Sequence, residues 1–283
     1  MTAALHWPAE ALWETISAQW PRFTVEVLPR IDSTNTELMR RARAGQCDPI
    51  LLVAEAQTAG RGRLGRQWQG QPGDSLMFSL GLPLTPPDWS GLSLAVGVSV
   101  AESLQPVLPP PNSPQPRLGL KWPNDLWLCD QHSDRKLGGI LVETANFIAP
   151  QTPATATSTR YVVIGIGINV RPQDSTGLSL PAACLQEIDA HIDAPTALMQ
   201  TVPALVCMLQ AFEHYGFGPV QARFDLRDVL QNRPVVLSDG QTGTAHGIGE
   251  DGALRVMTAS GMQHITSSEI SVRPAHAAAT LPA

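Results

Sequence analysis

Tyr161-Val-Val-Ile-Gly-Ile-Gly-Ile-Asn-Val170 is an almost unbroken apolar run, rich in β-branched residues, with Asn169 as its lone polar side chain. Such a run reads as a buried strand. Its two glycines either let a ligand or a second backbone come close, or reflect tight packing. Working outward, Ile50 to Ala56, Ser75 to Leu82 and Leu137 to Thr144 read as further strands. Thr24 to Leu28, Leu118 to Lys121 and Asp125 to Cys129 read as shorter ones. Helices are expected at residues 8–19, from Thr34, and over Gly91 to Leu104, Pro195 to Tyr215 and Val220 to Leu230. Thr34 and Glu37 have the spacing of a capping box, and Gly45 stands where a C-terminal cap belongs. Pro203 predicts a kink or break in its helix. The mixture predicts an α+β fold, a mixed sheet with flanking helices.

After Asn232-Arg-Pro234 the texture changes. Val235 to Leu237, Gly243 to Gly247, Ala253 to Met257 and Met262 to Ser267 are short strands separated by Asp239-Gly240, Asp251-Gly252 and Ser260-Gly261. That spacing predicts a small antiparallel barrel. The expected organisation is a first domain over 1–231 and a second over 232–283, with a disordered tail after about 275. Pro106 to Pro116 and Ala149 to Thr159 are dominated by Pro, Ala and Thr, and read as mobile insertions.

Composition excludes several classes of function. With 43% hydrophobic residues over 283 positions the chain can bury a sizeable core. A formal charge of −6 argues against general affinity for nucleic acid. Cys47, Cys129, Cys184 and Cys207 lack any Cys-x-x-Cys pair, which favours free buried thiols over disulfides or a zinc site. No stretch approaches the roughly 18 consecutive apolar residues of a membrane span, and no signal-peptide pattern opens the chain, so a cytoplasmic protein is expected.

The positive charge is local. Of 19 basic residues only Lys121 and Lys136 are lysines, and each lies in a polar motif, Lys121-Trp-Pro-Asn-Asp125 or Arg135-Lys-Leu-Gly-Gly139. A site that needs a compact ammonium rather than a planar fork would retain Lys against a drift to Arg. Between the second and third strands lies a loop of about 17 residues, long enough to suggest a function. It contains Gly60-Arg-Gly-Arg-Leu-Gly65, which matches Gly-x-Gly-x-x-Gly by letter. The segment that follows has turn chemistry, so the dinucleotide-binding reading fails. What remains is Arg61, Arg63 and Arg66 on a pliable backbone, able to converge on an anion, with a solvated basic loop as the plainer reading. In the lysine motif, Pro123 fixes the chain so that Asn124 and Asp125 are presented at a strand mouth, or the pair forms an ordinary turn.

These motifs together resemble biotin protein ligases. Ser33-Thr-Asn35, Glu55-Ala-Gln57, Gly60-Arg-Gly-Arg63 with Arg66 and Trp68, Lys121 to Asp125, Arg135 to Glu143 and Gly165 to Asn169 occur in that family's order and approximate spacing. The resemblance spans residues 24–273. It implies a biotin/lipoate-ligase type catalytic domain with a C-terminal SH3-like barrel, joining biotin to ATP and passing biotin to a lysine of a carboxylase's biotin carboxyl carrier domain. Biotin and ATP would be substrates, with magnesium accompanying ATP and no tightly bound prosthetic group. By motif position, Ser33, Thr34 and Gln57 would bond the biotin ureido ring beside Asn35, and Gly139 would line the same site. Arg61, Gly62 and Arg63 would order over biotin and the adenylate, Arg66 would hold triphosphate, and Trp68 would pack near adenine with Asn124 and Asn169 reading its edge. Lys136 would bridge the biotin carboxylate and α-phosphate, and Lys121 would support the phosphates. Asp125 would orient the acceptor lysine, accept its proton, or help place magnesium.

Members that also act as repressors carry about 60 further residues of winged helix before this domain. The first strand begins here at about residue 24, so a ligase without DNA binding is expected, as a monomer or weak homodimer. A lipoate-type acyl ligase and a non-catalytic biotin sensor are the alternatives. Lipoate enzymes lack the Gly-Arg-Gly-Arg loop and attached barrel in this arrangement, and the retention of Lys136 and Asp125 favours catalysis over sensing.

Overall fold

The computed structural model describes residues 5–68, 70, 72–110, 113–146, 159–173, 182–266 and 272–274. In chain order the elements are α1 (Ala9–Ser17), β1 (Thr24–Leu28), α2 (Thr34–Arg43), β2 (Ile50–Ala54), β3 (Gly60–Arg61), β4 (Gln67–Trp68), β5 (Ser75–Leu84), α3 (Leu92–Leu104), β6 (Arg117–Lys121), β7 (Asp125–Cys129), β8 (Asp134–Asn146), β9 (Arg160–Asn169), α4 (Ala194–Tyr215), α5 (Gln221–Asp225), β10 (Pro234–Leu237), β11 (Thr242–Ile248), β12 (Leu254–Thr258), β13 (Gly261–Ile265) and β14 (Val272–Pro274). Seven strands form one sheet in the order β1-β2-β5-β9-β8-β7-β6. β1 and β2 are parallel, and the other pairings are antiparallel.

The apolar run that became β9 has no polar alternation because helices cover both faces of the sheet there. Val162, Ile164, Ile166 and Ile168 join the large core with α1, α3 and α4. Tyr161 and Val163 point the other way, into a smaller core with Leu38 and Met39 of α2. By the period of two, Gly165, Gly167 and Asn169 share that second face. Cross-strand register then lays out a row of residues on it: Met77, Gly167, Gly139, Asp125 and Lys121. The adjacent row holds Leu52, Ser79, Gly165 and Leu141.

Several local expectations change. Ser33, not Thr34, caps α2, its Oγ accepting from the Thr36 N–H at 3.4 Å. Thr34 is unavailable for that role because its backbone and hydroxyl meet Gln57, and Glu37 pairs with Arg40 and Arg41. The helix expected over Val220 to Leu230 ends at Asp225. The chain beyond it is drawn onto the sheet edge instead, the Leu120 N–H donating to Arg227 O and the Val229 N–H to Leu120 O. α4 runs unbroken through Pro203. This helix is long and apolar enough to cross a membrane by length and composition, with half of its most apolar window buried in the fold. Cys207 lies on its outer side and is exposed, so not all four thiols are buried, whereas Cys184 is.

The C-terminal strands pair in the order β13-β12-β11-β10-β14, all antiparallel, with a register shift between Ala245 and Ile248. Among the described residues these five strands form a small antiparallel β domain, as the short strands and Asp-Gly turns predict. β14 is a short strand that the sequence pattern did not reveal. The domain is tied to the sheet through Trp122, whose indole N–H donates to Gly252 O at 3.0 Å. The insertion from Pro106 to Pro116 is anchored at its base by Gln105, which bonds Pro116 O and the Leu118 N–H. Residues 149–158 and those after 274 lie outside the described residues.

Candidate active site

Two sheet rows, the start of α2 and the β3–β4 hairpin enclose one cleft. The long loop between β2 and β5 is therefore structured: Gly60 pairs with Trp68 and Arg61 with Gln67. Between them Leu64 takes φ 55, and Arg63 to Gly65 form a single tight turn. This hairpin sets Arg61, Arg63 and Arg66 at the cleft, where Lys121 and Lys136 also stand. Asp125 is the one carboxylate among the described lining residues. Five cations and one anion line the cleft, with Glu143 behind it pairing Arg61, inside a protein of net charge −6. Such a cleft concentrates polyanions while the rest of the surface repels them.

A β-bulge places the key lysine. Asp125 pairs with Gly139 and Leu126 with Gly138, but Trp127 pairs with Lys136, leaving Leu137 as the extra residue. Without that extra residue Lys136 would lie on the opposite face from Asp125. With it, Leu137 is buried and the Lys136 ammonium lies 2.7 Å from Asp125 Oδ1. On the other side of the same carboxylate, Lys121 Nζ lies 3.9 Å from Oδ2. The Trp122–Pro123 peptide bond in the intervening turn is cis. Asn124 is held from both ends, donating to Ile140 O at 2.8 Å and accepting from Arg63 at 3.3 Å. Burial pushes the Arg63 guanidinium below its ordinary value, Arg66 adding to the effect and Asp125 opposing it.

The other end of the cleft is neutral and hydrogen-bonded. Gln57 Oε1 accepts from the Thr34 N–H at 2.7 Å and lies 3.2 Å from its hydroxyl. Ser79 Oγ lies 2.7 Å from Thr34 Oγ1 and donates to Asn35 Oδ1 at 2.6 Å. The Asn35 amide donates in turn to Leu141 O and Glu143, and Arg61 caps Glu143 at 3.0 Å. Ser79 and Glu143 are the members that motif reasoning missed. Ser79 sits in an apolar strand and only its register opposite Gly165 reveals its role. Glu143 ends a motif already quoted, so its charge in an apolar strand was the available signal.

The glycines of β9 make room for this chain's own side chains. A Cβ on Gly165 would stand 2.0 Å from Asn35 Oδ1, and one on Gly167 would stand 2.6 Å from the Trp68 ring. The structure brings together Ser33, Thr34, Asn35, Gln57, Arg61, Gly62, Arg63, Arg66, Trp68, Lys121, Asn124, Asp125, Lys136 and Gly139. Asn169 stands apart from them. Its amide donates to Ala183 O and its oxygen accepts from Gln173, so its polar edge is used at the end of β9.

Both oxygens of Asp125 face ammonium groups, and among the described residues no group of three His, Cys, Asp or Glu side chains is arranged to hold a metal.

The fold and cleft define an ATP-dependent acyl-protein ligase, and the chain belongs to the biotin/lipoate A/B protein ligase family, whose pattern matches residues 27–169. A second match, over residues 232–273, is to the biotin protein ligase C-terminal domain. The bifunctional ligase/repressor BirA of Escherichia coli is 35% identical over 89% of this chain and 75% of its own. The biotin–[acetyl-CoA-carboxylase] ligase of Paracoccus denitrificans is 29% identical over 86% of this chain and 98% of its own. A solved biotin protein ligase of Aquifex aeolicus, in complex with biotin and ATP, superposes with a TM-score of 0.68 at 27% identity, covering 89% of this chain and 99% of that one.

Proposed function

We propose that this chain joins biotin to ATP, releasing pyrophosphate, and then transfers biotin from biotinyl-5′-AMP to one lysine of a biotin carboxyl carrier domain. The observation that carries this reading is the polarity of one cleft, with a neutral hydrogen-bonding end at Thr34, Gln57 and Asn35 and a cationic end at Arg61, Arg63, Arg66, Lys121 and Lys136. Biotin has the matching shape, a neutral ureido ring at one end and a carboxylate at the other. Ser33, Thr34 and Gln57 would hold the ring, with Asn35 fixed beside them by Ser79 and Glu143.

In the first half-reaction the carboxylate oxygen attacks the α-phosphorus, an O–P bond forms, and the bond to pyrophosphate breaks. Both reactants are anions, so bringing them together is the main electrostatic obstacle. Lys136 would stand between them, and the arginine hairpin would draw the triphosphate and close over it. Ordering that hairpin would also keep water from the mixed anhydride. Asn124 would hold Arg63 ready, and Trp68 would offer a flat face toward adenine. In the second half-reaction an acceptor amine attacks the acyl carbon, AMP leaves, and Asp125 would orient the incoming ammonium and take its proton.

Its partner would be the carrier domain of a biotin-dependent carboxylase, met in the cytoplasm by a monomer or weak homodimer, and the charge of −6 disfavours DNA. The test is biotin-dependent exchange of labelled pyrophosphate into ATP. Exchange with biotin and none with lipoate is expected; exchange with lipoate alone would sink the reading.

A further inference from the structure

The two lysines of this chain are unequal neighbours of one carboxylate. Lys121 and Asp125 are cross-strand partners at the closed end of the β6–β7 hairpin. The Lys121 ammonium lies 5.4 Å from the centre of the Trp127 ring, and its side chain is only 10% exposed. Lys136 reaches the other carboxylate oxygen from β8 and is 42% exposed. A covered ammonium fixed by a ring and a carboxylate has few other places to go. A half-exposed one on a four-carbon stem changes partners more readily, because solvent takes up its charge as it moves.

On the proposed function, Lys136 must serve the biotin carboxylate and the α-phosphate during adenylation. Moving there releases Asp125 Oδ1 just when an acceptor lysine needs it. We infer that Lys121 is a positioning residue for the transfer half-reaction, holding Asp125 through Oδ2 while Lys136 is engaged on the adenylate. Oδ1 is then left aimed into the cleft, and the acceptor ammonium takes the place that Lys136 occupied. The Lys136–Asp125 contact is a place-holder that keeps the second half-reaction's carboxylate engaged until the first has drawn Lys136 away. The scarcity of lysine acquires a reason at both positions. An arginine at 121 would offer a fork that reaches both carboxylate oxygens and would block Oδ1 as well.

The test separates the half-reactions. Lys121→Met keeps the stem against Trp127 and removes the charge. It is assayed for biotin-dependent pyrophosphate exchange and for single-turnover transfer from chemically made biotinyl-5′-AMP to a biotin carboxyl carrier domain, at varied carrier concentration. The maximal transfer rate should fall about tenfold further than pyrophosphate exchange does, with the half-saturating carrier concentration unchanged. In an Asp125→Asn background the same substitution should cause no further loss. Equal losses in both half-reactions would overturn the inference, as would weaker carrier binding at full transfer rate. Should Lys121→Met fail to fold, Lys121→Gln, which retains a polar donor, is read by the same criteria. Absence of exchange in the parent protein would overturn the ligase reading itself, so the two failures are distinct.

Discussion

Adding a single methyl group at Gly165 should dismantle the neutral end of the cleft. A Cβ there would lie 2.0 Å from Asn35 Oδ1 and 2.7 Å from its Cγ, distances no packed side chain tolerates. Asn35 is only 4% exposed, and its amide is fixed by Ser79, Leu141 O and Glu143. Expelling it would forfeit two neutral hydrogen bonds worth about 1 kcal/mol each and a charged one worth about 1.5–3 kcal/mol. Partial relaxation recovers some of this, so Gly165→Ala should cost about 3 kcal/mol. Gly165 is not among the glycines at positive φ, so the effect is one of packing, not of backbone strain. Urea unfolding gives the stability, and calorimetric titration with biotin should show at least about a tenfold loss of affinity. The decisive measurement is a double-mutant cycle. Once Asn35→Ala has removed the amide, Gly165→Ala should cost less than about 1 kcal/mol, a coupling of about 2 kcal/mol. Additive costs, or a Gly165→Ala protein that binds biotin like the parent, would refute the contact.

Gly167→Ala drives a Cβ into the Trp68 ring and should raise the KM for ATP about tenfold while biotin affinity holds; equal effects on both ligands would remove Trp68 from the adenine end. Lys136→Arg keeps the charge but replaces a point donor by a fork, and pyrophosphate exchange should fall about 100-fold; full activity would show that any cation suffices there. Burial pushes the Asp228 carboxyl up to about 6, and its Oδ2 finds no partner among the described residues. The unfolded value is about 3.9, so between the two the folded protein holds a proton the unfolded chain has released, and stability is fullest below about pH 4 and declines as pH rises through 6. Asp228→Asn keeps the acceptor for the Leu230 N–H and should therefore gain about 2 kcal/mol at pH 8 and almost nothing at pH 4. Equal changes at both pH values in urea unfolding would refute that sign.

How far the sequence could be read depends on how local each feature is. The apolar run of β9, the capped start of α2 and the Asp-Gly turns of the second domain follow from neighbours a few residues apart, and those elements formed close to their expected bounds. α5 is shorter than its local pattern predicts, for the opposite reason. Nothing within Leu226 to Leu230 shows that Leu120, more than 100 positions earlier, takes its backbone hydrogen bonds. The motifs converge on one cleft because their residue types are demanding, yet Asn169 lies outside its lining, and Ser79, which holds Thr34 and Asn35 from behind, belongs to no motif. An amide and a hydroxyl have no address until their cross-strand neighbours are known.

By itself, then, the order of residues determined the two sheets, the arginine hairpin's composition and the pair of lysine motifs, all of which rest on short-range preferences of backbone and side chain. Tertiary structure alone decided where the charges point. One extra residue at Leu137 turns Lys136 onto the face of Asp125, and Gly165 and Gly167 prove to be seats for Asn35 and Trp68. Lys121 is covered by Trp127 while Lys136 stays half open. The physical reason is register: a shift of one residue in a ladder exchanges the two faces of a strand, and no local pattern in either strand records which register its partner will impose.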